Sequence, residues 1–308
     1  MTFGKMPIAN GFLKKKYFKK EYFFEMEVGF SKKVSLFQLN NHPKPKMMFN
    51  KNYPFFTGSS KGMINHFKNY AGWIKRNYLK KNYNLIEIGS NDGTFLNNFK
   101  NSKIKTLGIE PSSNVANVSK AKGIKTINNF FTYENVKKIK SLKNKTDIIC
   151  AANVVCHVPN LTDLIRGVNH LLNDNGLFIF EEPYLGSMYK KTSYDQIYDE
   201  HIFMFSVNSI KKVFKLFNFE LINVIPQKTH GGSMRYVVGR LGKHKINNNV
   251  LKLLKDEKKK KIDSIQGCLN FKKKCEISKK KLNKKVESIL KKGKNIAGYA
   301  ATSKSTTI

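Results

Sequence analysis

Between residues 84 and 185 the pattern of apolar and polar positions changes period several times. Short apolar runs (NLIEIGS, KTLGIEP, TDIICAANVV and GLFIFEEPYL) alternate with TFLNNFKN, SSNVANVSKAKG and LTDLIRGVNHLLNDNG, where apolar residues recur at helical spacing. Strands alternating with helices predict a parallel sheet with right-handed crossovers, so the fold class is α/β, a doubly wound Rossmann-like sheet. FELINVIPQ and SMRYVVGRL follow as two further strands. The linker KTHGG is too short for a crossover, so this pair is antiparallel. Upstream, EYFFEMEVGF and SLFQL read as strands, and residues 61–80 as an amphipathic helix through Met63, Phe67, Tyr70, Trp73 and Ile74. Downstream, residues 248–292 read as lysine-loaded helix. Its apolar stripe is Leu251, Leu254, Ile262, Ile265, Leu269, Leu282, Val286 and Ile289. GKNIAGYAATSKSTTI then begins a strand and a glycine turn. The expected organisation is a small module over 1–60, a core domain over 61–245, and a helical segment leading into the start of another α/β domain over 246–308.

Composition changes this picture little. A net charge of +36 suggests nucleic acid or an anionic surface as partner. Yet the cations are almost all lysine, with arginine only at Arg76, Arg166, Arg235 and Arg240. Asparagine, isoleucine and phenylalanine are abundant too, a profile of biased codon usage rather than of arginine forks gathered in one patch. Nucleic acid is therefore not the expected partner, although an RNA-binding surface stays open as an alternative. No apolar run reaches the ~18 residues of a membrane span, so no membrane partner is expected. The cysteines Cys150, Cys156, Cys268 and Cys275 form no CxxC pair, which fits a reducing cytoplasm and gives no zinc signature.

Two stretches carry candidate chemistry. LIEIGSNDGTFL, residues 85–96, is a strand that brings Glu87, Gly89 and Gly93 into a loop opening a helical segment. Glu110 ends the next strand about 20 residues later, where an acid can take the hydroxyls of a ribose. A dinucleotide site wants a second glycine for its pyrophosphate; this chain has Asn91 there, followed by Asp92. A carboxylate suits a cationic ligand, and S-adenosylmethionine carries a sulfonium and an ammonium and has no phosphate. The second stretch, QIYDEHIFMFS, sets Tyr198, Asp199, Glu200 and His201 side by side. By itself it reads equally as a charged helix cap.

IEIGSNDGTFL, GIEPSSNVA, ANVVCHVPNLTDL, FEEPYL, IYDEH, THGGSMR and GKNIAGYAA occur in this order. Together they resemble the class I S-adenosylmethionine-dependent C-methyltransferases that act on nucleotide-linked ketosugars, along nearly the whole chain. The resemblance implies that Gly89, Asp92 and Gly93 line the methionine end of the cofactor and Glu110 its ribose. Asn129 and Phe130 would flank adenine, and Asn153 would lie beside the cofactor. His157 has two readings, a site contact or a helix-start residue. The substrate would be a nucleotide-linked ketosugar, expected as a dTDP-sugar, met by His230, Tyr53 and Tyr184. The implied reaction removes a proton next to the ketone, after which the enolate carbon takes the methyl group. Histidine titrates closest to neutrality, so His201 is the expected base. Glu200 would orient or recharge it, Tyr198 would bind sugar or relay a proton, and Asp199 has the weakest case for a role.

The sequence departs from the family twice. Members carry an N-terminal zinc module with two CxxC pairs; here the second pair's positions hold Ser31 and Val34. Structural zinc needs about four ligands, so no metal is expected. Members also continue past the point where this chain stops, and Ala300 stands where glycine is usual. The expectation is a shortened C-terminal domain. A cofactor-binding fold without turnover therefore remains an alternative.

Overall fold

The computed structural model describes residues 1–79, 83–100, 102–299 and 302–308. Three strands open the chain: β1 (Thr2–Pro7), β2 (Phe23–Ser31) and β3 (Leu36–Leu39). They pair antiparallel in sequence order. In β2, alternation of buried Phe24, Met26 and Val28 with exposed neighbours puts one face against the body. A short helix α1 (Pro45–Met48) leads to α2 (Lys61–Asn77), whose first turn is capped by the Ser60 side chain.

The central sheet is built from β4 (Asn84–Ile88), β5 (Lys105–Ile109), β6 (Thr126–Ile127), β7 (Thr146–Ala152) and β8 (Leu172–Pro183). Between them lie α3 (Ser113–Ala121), α4 (Tyr133–Lys137) and α5 (Leu161–Leu171). After β8 come α6 (Leu185–Lys191), the two-residue β9 (Phe203–Met204), α7 (Val207–Lys215), β10 (Phe219–Gln227) and β11 (Ser233–Arg240). The seven-stranded order is β10-β11-β8-β7-β4-β5-β6. β11 is antiparallel to both neighbours and all other pairs in the parallel part run together. Crossovers leave β4 to reach β5 and β6 on one side and β7 and β8 on the other. The order thus reverses at β4, and ligands bind outside the carboxyl ends of strands at such a point.

α2 covers one face, burying Phe67, Tyr70 and Ile74 against Leu85, Ile148 and Ile179. A buried ion pair pins it: Glu181 meets Arg235 at 2.5 Å and His66 at 2.6 Å, while the guanidinium lies over Tyr70 and Trp73. α5 and α7 cover the other face with Leu164, Ile165, Val168, Ile210 and Phe214.

Several expectations change. TFLNNFKN makes a single 3₁₀ turn, Leu96–Phe99, instead of a helix. The Asn98 amide bonds back to the Thr94 and Phe95 carbonyls, competing with helical pairing. β6 went unread because two residues hold no period. The lysine-rich region is two helices, α8 (Asn248–Lys259) and α9 (Ile265–Leu290), broken where Lys261 adopts a left-handed backbone. The buried face matches the expected stripe only in part: Ile262 is buried and Leu254 packs against the core. Val250, Glu257, Phe271 and Cys275 are buried, whereas Leu251, Leu269 and Leu282 are exposed. Residues 294–299 form no strand, Ser303–Thr307 is a 3₁₀ turn, and Ala300 lies outside the described residues. β9 pairs with β3, so the small N-terminal sheet is completed from residues 203–204. No helix among the described residues is long and apolar enough to cross a membrane.

Candidate active site

A cavity of about 1180 Å³ opens at the carboxyl ends of β4, β5 and β7. Glu87, Gly89, Glu110, Asn129, Phe130 and Asn153 from the cofactor-loop half of the sequence line it together with Tyr53, Tyr198, Glu200, His201 and His230. The two motifs, more than a hundred residues apart, thus face one space.

The loop after β4 turns at Gly89, whose φ of +66° is left-handed. A Cβ there would overlap the Val154 side chain, so backbone conformation and space both demand glycine. Asn91, at φ +47°, donates its N–H to Glu110 Oε2 at 2.9 Å, and Ser112 N–H reaches the other oxygen at 2.8 Å. Each carboxylate oxygen keeps a lone pair for a hydroxyl. Glu87 is buried, and its Oε2 has no hydrogen-bond partner. Burial, with the charges of Glu110 and Asp92, pushes its pKa well up. A buried carboxyl without a donor beside an open backbone fits the ammonium end of S-adenosylmethionine, and the Glu110 edge fits its ribose.

Asp92 and Gly93 do not line the cavity, contrary to the expectation. Asp92 Oδ2 accepts from Gly58 N–H at 2.9 Å and pairs with Lys122 at 3.3 Å, and Oδ1 accepts from Thr94 Oγ1. The acid clamps the loop to the segment before α2. Gly93, at φ +76°, has no room for a Cβ, which would stand 2.5 Å from Ile124 and 2.6 Å from Ser119. Both residues shape the loop from behind.

In the second motif all four YDEH residues are buried. His201 Nδ1 lies 2.7 Å from the Gln196 carbonyl, which can only accept, so Nδ1 carries the proton. Nε2 is then the lone-pair nitrogen, and the Tyr198 hydroxyl donates to it at 3.1 Å. Burial, then the neighbouring His157, holds the His201 pKa well below its usual value. The Tyr198 phenol is pushed well up, by burial and the charge of Glu200. Glu200, expected from sequence to orient or recharge the histidine, makes no hydrogen bond to His201 among the described residues. Its Oε1 accepts from Asn10 Nδ2 at 2.6 Å, and Asp199 Oδ1 accepts from Ala9 N–H at 3.2 Å. Burial raises Glu200 to about 7 and Asp199 to about 6. Asp199 is therefore an anchor for the segment after β1.

Three further candidates divide. Tyr53 lines the cavity, its phenol pushed up by burial and by Glu200. His230, at φ +49°, accepts at Nε2 from Asn153 Nδ2 at 2.9 Å; burial lowers its pKa to about 4. Tyr184 does not line the cavity. Its hydroxyl donates to Glu257 of α8 at 2.9 Å, and Glu257 also accepts from the N–H groups of Val207 and Asn208. Tyr184 is a packing residue.

His157 lies in a 3₁₀ turn, lines the cavity, and stacks between Phe49 and His201 at ring distances of 5.5 and 5.4 Å. The turn is held by Glu182, which accepts from Val154 and Val155 N–H. Cys156, His157 and His201 offer ligand atoms within 4.8 Å of one another, a metal-ligand set that sequence spacing conceals. In this cluster both His201 nitrogens are hydrogen-bonded, to Gln196 and Tyr198. Sequence reasoning also missed Asn10, Phe49, the Gln196 carbonyl and Lys304. None has a local signal: each is an ordinary residue type in a loop, brought in by packing.

A methyltransferase-domain family model matches residues 63–224, and a model described as the C-methyltransferase C-terminal domain matches residues 228–308. The chain is similar to C-methyltransferase NovU of Streptomyces niveus, 25% identical over 311 residues, which span 100% of this chain and 74% of that one. Among solved structures it is similar to magnesium protoporphyrin IX methyltransferase of Synechocystis with bound SAH. That likeness has a TM-score of 0.46 and 12% identity, over 58% of this chain and 84% of the other. It is also similar to the PH0226 protein of Pyrococcus horikoshii, with a TM-score of 0.48 and 13% identity, over 60% and 94%.

Proposed function

This chain belongs to the methyltransferase-domain family and is an S-adenosylmethionine-dependent methyltransferase; from that premise we propose that it methylates carbon, at the position next to the ketone of a nucleotide-linked 4-ketosugar. The carrying observation is the Tyr198–His201 pair, neutral and buried, lining the same cavity as the Gly89 loop. Carbon methylation needs a base at that place, which methylation of an amine or a thiolate does not. The match over residues 228–308 and the likeness to a C-methyltransferase support the same reading.

S-adenosylmethionine, when bound, supplies the electrophilic methyl group. Glu87 and Glu110 hold its charged and ribose ends. The Tyr198 oxygen, whose proton already points at His201 Nε2, takes the proton from carbon as its own passes to that nitrogen. The Gln196 carbonyl keeps the imidazole in the tautomer that can receive it. Asn153, directly after β7, and His230, in the β10–β11 turn, are bonded to each other and meet the sugar together. Tyr53, Phe49 and His157 exclude water from the same side.

The test is methyl transfer to a thymidine-diphosphate-linked 4-ketosugar by His201→Ala and Tyr198→Phe. Loss of a general base costs about 10²–10⁴-fold. Transfer should fall by that factor in His201→Ala while calorimetry shows S-adenosylhomocysteine still bound. Undiminished turnover in that variant refutes the mechanism.

A further inference from the structure

One wall of the cavity has no part in the chemistry above. After α9 the chain returns to the body as the 3₁₀ turn Ser303–Thr307. Thr307 Oγ1 donates to the Ile197 carbonyl at 2.6 Å, directly before Tyr198. Within the turn, Ser305 N–H bonds to the Thr302 carbonyl at 2.9 Å. This docking makes Thr302, Ser303 and Lys304 part of the lining that also contains Tyr198, Glu200, His201 and His230.

Lys304 differs from the other lysines in its surroundings. It is half-buried, and among the described residues it makes no salt bridge and no side-chain hydrogen bond. Its charge acts on two imidazoles at once, lowering both His201 and His230. Asp195, the acid that acts on it most, forms no ion pair with it. A partly desolvated ammonium without an anion is costly. It is also where a negative charge entering the cavity would be drawn.

We propose that Lys304 binds the ketone oxygen of the acceptor and stabilises the enolate oxygen formed beside the base, a role that rests on the carbon-methylation reading above. When the carbon-bound proton moves to the Tyr198–His201 pair, the C–H electron pair becomes a C=C bond. The carbonyl π pair moves onto oxygen, leaving one negative charge there. The enolate carbon then attacks the methyl group as its bond to sulfur breaks, and the oxygen returns to a carbonyl. The oxygen is one bond from the carbon adjoining the proton donor, so its stabilising cation must stand near the base. Lys44 and Lys46 also line the cavity but are exposed, whereas Lys304 is half-buried and is the lysine whose charge acts on His201. The diphosphate leaves the sugar from another carbon and needs no cation beside His201.

The experiment incubates thymidine-diphosphate-linked 4-keto-6-deoxyglucose in D₂O with S-adenosylhomocysteine and wild-type, Lys304→Met or Lys304→Arg protein. Deuterium uptake next to the ketone reports enolate formation without methyl transfer. Removing one oxyanion donor costs about 10²–10³-fold, and Lys304→Met should lose that much in both exchange and kcat. Lys304→Arg should regain part of it, S-adenosylhomocysteine affinity should stay at the wild-type value, and KM should change less than kcat. Wild-type exchange in Lys304→Met, a loss confined to KM, or a parallel loss of S-adenosylhomocysteine binding overturns the role of Lys304 and leaves the methylation reading standing. A wild-type protein that neither exchanges nor methylates the ketosugar overturns that reading, and this role with it.

Discussion

Gly89→Ala tests whether the cofactor loop is shaped by its contact with the turn after β7. Two costs separate cleanly. A left-handed backbone costs a non-glycine residue about 1–2 kcal/mol. The added Cβ also overlaps Val154, and overpacking of this kind costs about 1–3 kcal/mol. The single variant should therefore lose roughly 2–5 kcal/mol of stability. Val154 is half-buried, and Val154→Ala alone should cost roughly 1 kcal/mol. In Gly89→Ala/Val154→Ala the overlap disappears and the backbone cost stays. The pair should then be more stable than the sum of the singles by about 1–3 kcal/mol, within the range measured for residues in contact. Guanidinium unfolding of the four proteins gives this coupling, and calorimetry with S-adenosylhomocysteine shows whether affinity recovers with it. Strict additivity, or a Gly89→Ala protein as stable as wild type, refutes the account of the loop.

Two other substitutions probe the buried acids. Glu257→Ala leaves the Val207 and Asn208 N–H groups and the Tyr184 hydroxyl without their acceptor, and each such loss costs about 1–3 kcal/mol; a total near 3–5 kcal/mol is expected by chemical denaturation, with Glu257→Gln losing less than half as much. For Glu200, burial lifts the pKa from 4.5 to about 7, so between those values the folded chain holds a proton that the unfolded chain has released. Its stabilising effect is therefore full below pH 4.5 and is lost as pH rises to 7. Glu200→Gln should flatten the fall in stability across this window by up to about 1.4 kcal/mol per pH unit, and a slope equal to wild type at pH 5, 6 and 7 would count against it.

The alternation of strand and helix carried most of the sheet, because β4, β7 and β8 are buried on both faces and read as unbroken apolar runs. Gly89, Glu87 and Glu110 were legible for the same reason: a strand end fixes where its last residues point. Asp92 was visible as an acid, but its direction depends on Gly58 and Lys122, which sequence does not bring near. Tyr184 went to α8 because Glu257, in a helix that reads as a solvated lysine face, turned out to be buried. Lys304 looks like any other lysine, and only the docking of Thr307 distinguishes it. Residue chemistry was readable from the chain wherever backbone geometry determined orientation. It was not readable where a distant side chain did.

The pairing of β9 has a consequence for how the enzyme can be altered. Phe203 and Met204, immediately after His201 and Ile202, hydrogen-bond to Gln38 and Phe37 on one side, and Phe205 bridges to Tyr184 at the end of the central sheet on the other. His201 thus sits just before a short segment that is paired to both sheets. Deleting the first forty residues would remove β3 and also the Asn10 and Ala9 contacts to Glu200 and Asp199. The Gly89 loop and Glu110 lie outside that deletion. The geometry of the Gly89 loop and that of the Tyr198–His201 segment are therefore held by different stretches of the chain. The register of Phe37 opposite Met204 is thus what ties the amino-terminal strands to the Tyr198–His201 segment, whatever side chains their exposed faces carry.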